Sequence, residues 1–233
     1  MSRNTLFELD ERLALCASFV RQNSKLADVG TDHAFLPVRL AAEGKIISAV
    51  ASDVRTGPLK NAESNIRLYG VEDKVSAVLS DGLDNISPDL ADDIVIAGMG
   101  GELIAKIIKR TQWLYDGSKR LILQPMTRME SLRLFLYQNG FCIEQEKACV
   151  SGRKHYSVML CRYDGVIREY SKKIQYIGSL GDDDSEEAAG YINMIKTKLK
   201  RKIDGLEKSG RLDEAAYFRS VIEEIEGKSE AKK

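Results

Sequence analysis

Between residues 26 and 140 a short apolar run repeatedly stops at a polar residue or glycine and gives way to apolar residues at helical spacing. Leu26, Ala27 and Val29 lead to Phe35, Leu36 and Leu40, and Ile46 to Asp53 leads to Leu59, Ala62, Ile66 and Tyr69. Ile94 to Ala97 leads through Gly98-Met99-Gly100-Gly101 to Leu103, Ile104, Ile107 and Ile108. Leu121 to Leu123 leads through Gln124-Pro125 to Leu132, Phe135 and Leu136. A further run, Val75 to Leu79, ends at Asp81-Gly82. Strands joined by helices pair in parallel and need cover on both faces, so this rhythm predicts an α/β sheet. Such a sheet binds its ligands beyond the carboxyl ends of its strands. The tightest of these junctions is Lys25 to Pro37, KLADVGTDHAFLP, where Gly30 lets the backbone turn and come close to a ligand.

The flanks differ. Leu9, Leu13, Cys16, Ala17 and Val20 mark an amphipathic helix over residues 8–21. Thr56 stands where it can cap the second crossover helix, and Thr127 with Glu130 has capping-box spacing. Phe141 to Val150 and Tyr156 to Tyr163 are separated by too few residues for a crossover helix, so they are expected to pair antiparallel. Beyond Asp164 strand formers become scarce and charge dense. A chain of 233 residues suits one full domain and an appendage, which divides it into a Rossmann-like domain, 1–164, and an all-α part, 165–233. Asp182, Asp183, Asp184, Glu186 and Glu187 read as a solvated turn and an anionic helix start. Ile192, Ile195, Leu199, Ile203 and Leu206 form a heptad-like seam, followed after Ser209-Gly210 by Leu212, Ala215, Arg219, Ile222 and Ile225. The expectation is a helical hairpin of coiled-coil character. Its seam can close within one chain or between two, which leaves monomer and weak dimer both open. Lys228 to Lys233 is expected to be disordered.

The strand ends carry the chemistry. Asp53 closes the second strand, where an acidic side chain can accept hydrogen bonds from both hydroxyls of a ribose. At the end of the third, Asp81 can accept from an adenine amino group while Gly82 admits the ring. A pyrophosphate needs G-x-G-x-x-G, yet Gly30 is followed by Thr31, Asp32, His33 and Ala34. The Asp32 carboxylate would repel a pyrophosphate and suit an ammonium. S-adenosylmethionine, with an adenosine and an amino-acid end, therefore fits better than NAD.

The segments DVGTDHAFLP, ASDV, VLSDGL, IAGMGG and LQP, with the hairpin and helical tail that follow, closely resemble the bacterial tRNA (adenine-22-N1)-methyltransferase family over residues 5–226. The resemblance implies a Rossmann-like catalytic domain that uses S-adenosylmethionine and a C-terminal coiled coil that helps hold tRNA. Gly30 and His33 would line the cofactor loop, Asp53 would hold the ribose, and Asp81 with Gly82 would meet the adenine. Gly98 and Met99 would lie beside the transferring methyl. Asp28, Thr31 and Val54 are placed on the cofactor side with them.

Methyl transfer to N1 of adenine needs alignment before it needs a strong base, because neutral N1 carries a lone pair. The product is a cation that a nearby carboxylate can stabilise, and Asp32 is the candidate. Gln124 and the carbonyls of residues 98–101 could orient the adenine edge. Lys196, Lys198, Lys200, Arg201, Lys202 and Lys208 outnumber Asp204 and Glu207 along the tail, which favours a phosphate backbone. Arg153 and Lys154 in the hairpin turn, with Arg128 and Arg133, extend that patch. Lys and Arg together number 35, as do Asp and Glu, so only this local distribution speaks for a polyanion. The four cysteines show no C-x-x-C pair and read as reduced thiols in a cytoplasmic protein, with no metal site legible around them or around His33 and His155. No apolar run is long enough for a membrane span. A small-molecule methyltransferase and a noncatalytic RNA-binding module that keeps a nucleoside pocket remain the alternatives, with an NAD-dependent oxidoreductase behind them.

Overall fold

The computed structural model describes residues 6–227; the expected disorder of Lys228 to Lys233 lies outside them. Seven strands form one sheet: β1 (Ser24–Val29), β2 (Ile46–Asp53), β3 (Val75–Leu79), β4 (Asp93–Gly100), β5 (Arg120–Thr127), β6 (Phe141–Ser151) and β7 (Lys154–Tyr163). Their order is β3-β2-β1-β4-β5-β7-β6. The first five are parallel, and β7 enters antiparallel between β5 and β6, as the short hairpin requires. The order reverses between β1 and β4, which opens a crevice at their carboxyl ends.

The helices are α1 (Glu11–Phe19), α2 (Phe35–Ala42), α3 (Thr56–Leu68), α4 (Gly101–Arg110), α5 (Met129–Gln138), α6 (Lys172–Ile177), α7 (Glu186–Lys208) and α8 (Leu212–Ile225). Alternation along each strand sorts its side chains into two cores. Leu26, Val95, Ile122 and Val158 belong to one, with α1, α2 and α3. Ala27, Ile94, Ile96, Leu121 and Met159 belong to the other, which is shared with α4, α5 and the C-terminal helices. Tyr191, Ile195 and Leu180 lie in that same core, so apolar packing runs without a break across residue 164.

Several local expectations are corrected. Helix α1 starts at Glu11 and not at residue 8, because the Asp10 carboxylate accepts from the Leu13 N–H at 2.8 Å and caps it there. Thr56 is the first helical residue of α3; Arg55 precedes it, with its N–H on the Asp53 carboxylate. Thr127 stays in β5, and Arg128, at φ 57°, turns the chain into α5 without a capping box. In the hairpin, α7 buries Ile195, Leu199, Ile203 and Leu206 as expected. The α8 seam holds in part: Ala215, Ile222 and Ile225 pack on the core together with Phe218 and Val221, while Leu212 and Arg219 face outward and Arg219 pairs with Glu207. Ser185 caps α7 ahead of Glu186 and Glu187, the expected anionic first turn. Helices α7 and α8 pack on each other along this seam.

Candidate active site

The β1–α2 junction is held by its own backbone. The N–H groups of Gly30 and Thr31 both donate to the Ser52 carbonyl at 2.8 Å, which ties the loop to β2. Gly30 sits at φ 78°, a conformation that costs any other residue. The Thr31 hydroxyl oxygen accepts from the Ala34 N–H at 3.0 Å. Ala34, at φ 53°, then turns the chain into α2, whose first N–H groups have no side-chain cap and leave a partial positive charge at the crevice.

The crevice has a volume of about 550 Å³. The structure brings Asp28, Gly30, Thr31, Asp32, His33, Asp53, Val54, Gly98 and Met99 together in its lining. Asp28 is 7% exposed and Asp53 6%, whereas Asp32 stands at the open rim, its carboxylate 3.3 Å from the His33 Nε2. Burial pushes the Asp28 carboxyl up to about 6, against the smaller lowering by Thr31 and Arg12. Asp53 engages only Oδ1 among the described residues, with the N–H and Nε of Arg55. The His33 ring stacks on Phe35 at 5.0 Å between centroids, so it braces the rim. Val54 is an exposed apolar cover beside Asp53.

Three expected contributors stand elsewhere. Asp81 is held in an ion pair by Arg110 at 2.7 Å, which lowers its pKa below the ordinary carboxylate range, and it does not line the crevice. Gly82 packs against Arg110 and Ile107. Gln124 is fully buried, and its Oε1 accepts from Arg12 at 2.9 Å and from the Gly98 N–H at 3.1 Å. It thus braces the crevice wall from behind and is not part of the crevice lining. The glycines after Gly98 serve strand and helix approach: a β-carbon on Gly101 would lie 2.4 Å from the Arg128 carbonyl.

The basic residues divide likewise. Arg153 and Lys154 are exposed at the β6–β7 turn. Because β7 runs antiparallel to β5, that turn projects from the same edge of the sheet as the crevice. On α7, Lys196 pairs with Glu226 at 2.5 Å. Lys200 stands about 200° round the helix from Lys198 at 3.6 residues per turn, and Arg201 is exposed. Arg133, expected on the surface, is fully buried between α5 and β6, with its guanidinium 2.6 Å from Glu146.

Residues 9–159 match the methyltransferase domain family. A solved structure of a candidate tRNA (m1A22) methyltransferase from Streptococcus pneumoniae is 32% identical, covers 94% of this chain and 99% of its own, and superposes with a TM-score of 0.84. The chain belongs to the tRNA (adenine(22)-N(1))-methyltransferase family. The Bacillus subtilis (strain 168) tRNA (adenine(22)-N(1))-methyltransferase is 29% identical over 227 residues, covering 86% of this chain and 94% of that one. The crystal structure of the B. subtilis m1A22 tRNA methyltransferase gives a TM-score of 0.84 at 25% identity, covering 95% of this chain and 99% of that one.

Within this family member, sequence reasoning missed Asp10, Arg12, Phe35 and Arg55, all of which line the crevice. Arg12 is the important omission, since it is the cation that reaches both Asp10 and Gln124. Its helix precedes the sheet, and no spacing in the sequence connects it to β5. Arg55, next to ASDV, had a signal: it follows the ribose-position acid by two residues.

Proposed function

We propose that this chain transfers a methyl group from S-adenosylmethionine to N1 of an adenine in tRNA, at position 22, in the cytoplasm. The observation that carries the reading is the crevice itself, in which two buried carboxylates from adjacent strand ends, Asp28 and Asp53, face a glycine loop with Met99 alongside. The same kind of protein from S. pneumoniae has been solved in complex with S-adenosyl-L-methionine.

The residues present fit that cofactor. Asp28 is a buried carboxylate with no full ion pair, so an ammonium would relieve its desolvation. The uncapped start of α2 would receive the neighbouring carboxylate. Asp53 has an oxygen to spare for ribose hydroxyls, and Val54 offers an apolar flank to a base. With Asp81 committed to Arg110, the adenine amino group would have to be met by other groups near the β3 end. When bound, S-adenosylmethionine supplies an electrophilic methyl group and departs as a neutral thioether.

The protein's part is to position the acceptor. N1 lies on the pairing edge, so the base must leave its pair and enter the crevice mouth. Met99 and the Gly98 loop, fixed from behind by Gln124, form the wall it would meet. Asp32 at the rim would stabilise the positive charge that develops on the ring and, once RNA covers the rim, would do so out of bulk water. Arg153 and Lys154 on the same edge would take phosphates, as would the outward cations of α7. No helix among the described residues is long and apolar enough to cross a membrane, and no cluster among them is suited to a metal.

The test is transfer of labelled methyl from S-adenosylmethionine to unmodified tRNA transcripts, with the product nucleoside identified by mass and mapped by blocked primer extension. N1-methyladenosine at position 22 is expected. Cofactor binding with no transfer to any tRNA would defeat the reading.

A further inference from the structure

A second cavity, of about 230 Å³, lies between the β5–α5 junction and the C-terminal helices. Its walls are apolar and aromatic, from Met126, Met129, Tyr176, Leu199 and Phe218, and its rim carries Lys198 and Lys202. We propose that this cavity receives one unstacked base of the tRNA, a neighbour of the methylated nucleotide, with its phosphate on Lys198 and Lys202. The inference rests on the tRNA reading above and adds a second binding position to it.

Location is the first argument. In the β4–β5 register Met99 is opposite Pro125 and Gly100 is opposite Thr127, so the wall of the cofactor crevice continues directly into the strand end that floors the second cavity. Met126, between them, is 38% exposed, an apolar side chain left uncovered beside the methyl-transfer position. Size is the second. Sites for drug-sized ligands run from about 300 to 1,000 Å³, so this cavity suits one heterocycle and not a second cofactor.

Charge is the third. Lys198 and Lys202 are four residues apart and so share one face of α7. Neither has a carboxylate partner among the described residues; Lys202 instead lies 4.0 Å from the centre of the Phe218 ring. Arg128 is already neutralised by Glu102 at 2.8 Å and Glu130 at 3.5 Å. This leaves two cations without carboxylate partners at the mouth of an aromatic slot, Lys202 resting on its Phe218 wall, a combination that matches a base with its phosphate. The Glu130 carboxylate, also in the lining, could accept from an exocyclic amine.

The experiment compares wild type with Tyr176→Leu and with the double variant Lys198→Gln/Lys202→Gln, measuring thermal stability, KM for S-adenosylmethionine, and tRNA affinity across a salt series. Tyr176→Leu should keep the cofactor KM and weaken tRNA binding about tenfold, the scale of one lost base stack. The double variant alters exposed side chains, so it stays folded, and it should lower the slope of log affinity against log salt by about 1.4 to 1.8, the value for two phosphates. Wild-type transcripts carrying 4-thiouridine should photocrosslink to peptides containing residues 126–129 or 176. Wild-type methylation of tRNA with unchanged affinity and slope in the variants would overturn the second site alone. Absence of tRNA methylation by wild type would overturn both readings, and the wild-type control separates the two failures.

Discussion

Met99 lays its terminal methyl where a side chain on Gly30 would have to stand: a β-carbon built on Gly30 falls 2.0 Å from the Met99 Cε. Two strand ends, β1 and β4, thus meet across the crevice through a glycine and a thioether. Gly30→Ala should fail chiefly through the left-handed backbone, and the Met99 methyl would have to swing out of the way of the new β-carbon. The backbone cost is about 1–2 kcal/mol. The double variant Gly30→Ala/Met99→Ala should recover part of the cofactor affinity but none of the backbone cost. Isothermal titration with S-adenosylmethionine and urea denaturation separate the two, and equal affinity in single and double variants would refute the contact's role.

Asp28 makes cofactor affinity and protein stability respond oppositely to pH. Its carboxyl is raised from 3.8 to about 6, so the folded chain holds a proton that the unfolded chain has lost. Its stabilising contribution is therefore complete below about 3.8 and disappears as pH rises through about 6. Asp28→Asn should be more stable than wild type at pH 7, by an amount on the order of 2–3 kcal/mol. The same variant should bind S-adenosylmethionine more weakly. Wild-type affinity should decline below about pH 6, and the Asn variant should show a flat profile there.

The buried pair Arg133–Glu146 ties α5 to β6 and, through hydrogen bonds from Arg133 to the Gln175 and Tyr176 carbonyls and to the Tyr191 hydroxyl, to the C-terminal helices. Either truncation, Arg133→Ala or Glu146→Ala, should cost about 3–5 kcal/mol in urea unfolding, since it strands a buried charge. Arg133→Met/Glu146→Leu should cost less than either single change. A double variant as unstable as the sum of the singles would contradict the pairing.

Gln124→Leu should slow methyl transfer about tenfold while leaving the fold intact. It removes the acceptor for Arg12 and for the Gly98 N–H, and the loss of one buried partner is worth about 1–3 kcal/mol. Single-turnover methylation is the measurement. An unchanged rate would mean that the Gly98 loop holds its position without Gln124.

What could be read from sequence was whatever lies on one element or at its end. Asp28 and Asp53 were legible because apolar runs mark where strands stop. Asp81 stops a strand too, but its engagement depends on Arg110, 29 residues away. Arg12 and Gln124 are separated by 112 residues, and no local pattern relates them. Arg133 looked like a surface cation because its partner is hidden by a change of register: β6 slips between Ile143 and Gln145, and the slip alters which face the following residues take. In α8 the expected Ala215, Ile222 and Ile225 pack on the core, but Phe218 takes the place expected of Arg219, because adjacent frames of that helix are about equally apolar. Lys198 was counted with Lys196 and Lys200, yet helical geometry puts it on the cavity side.

The antiparallel insertion of β7 has a consequence for synthesis. β7, which neighbours β5, is made after the other six strands, and the face it completes is covered by α7, which ends at Lys208. A nascent chain that has emerged as far as residue 140 already holds every residue of the cofactor crevice, but β5 is still an open edge and its apolar face is bare. Ribosomal output therefore passes through a stage that is chemically equipped and structurally unfinished. The cofactor crevice is thus complete in sequence before the strand and helix that cover β5 have been made.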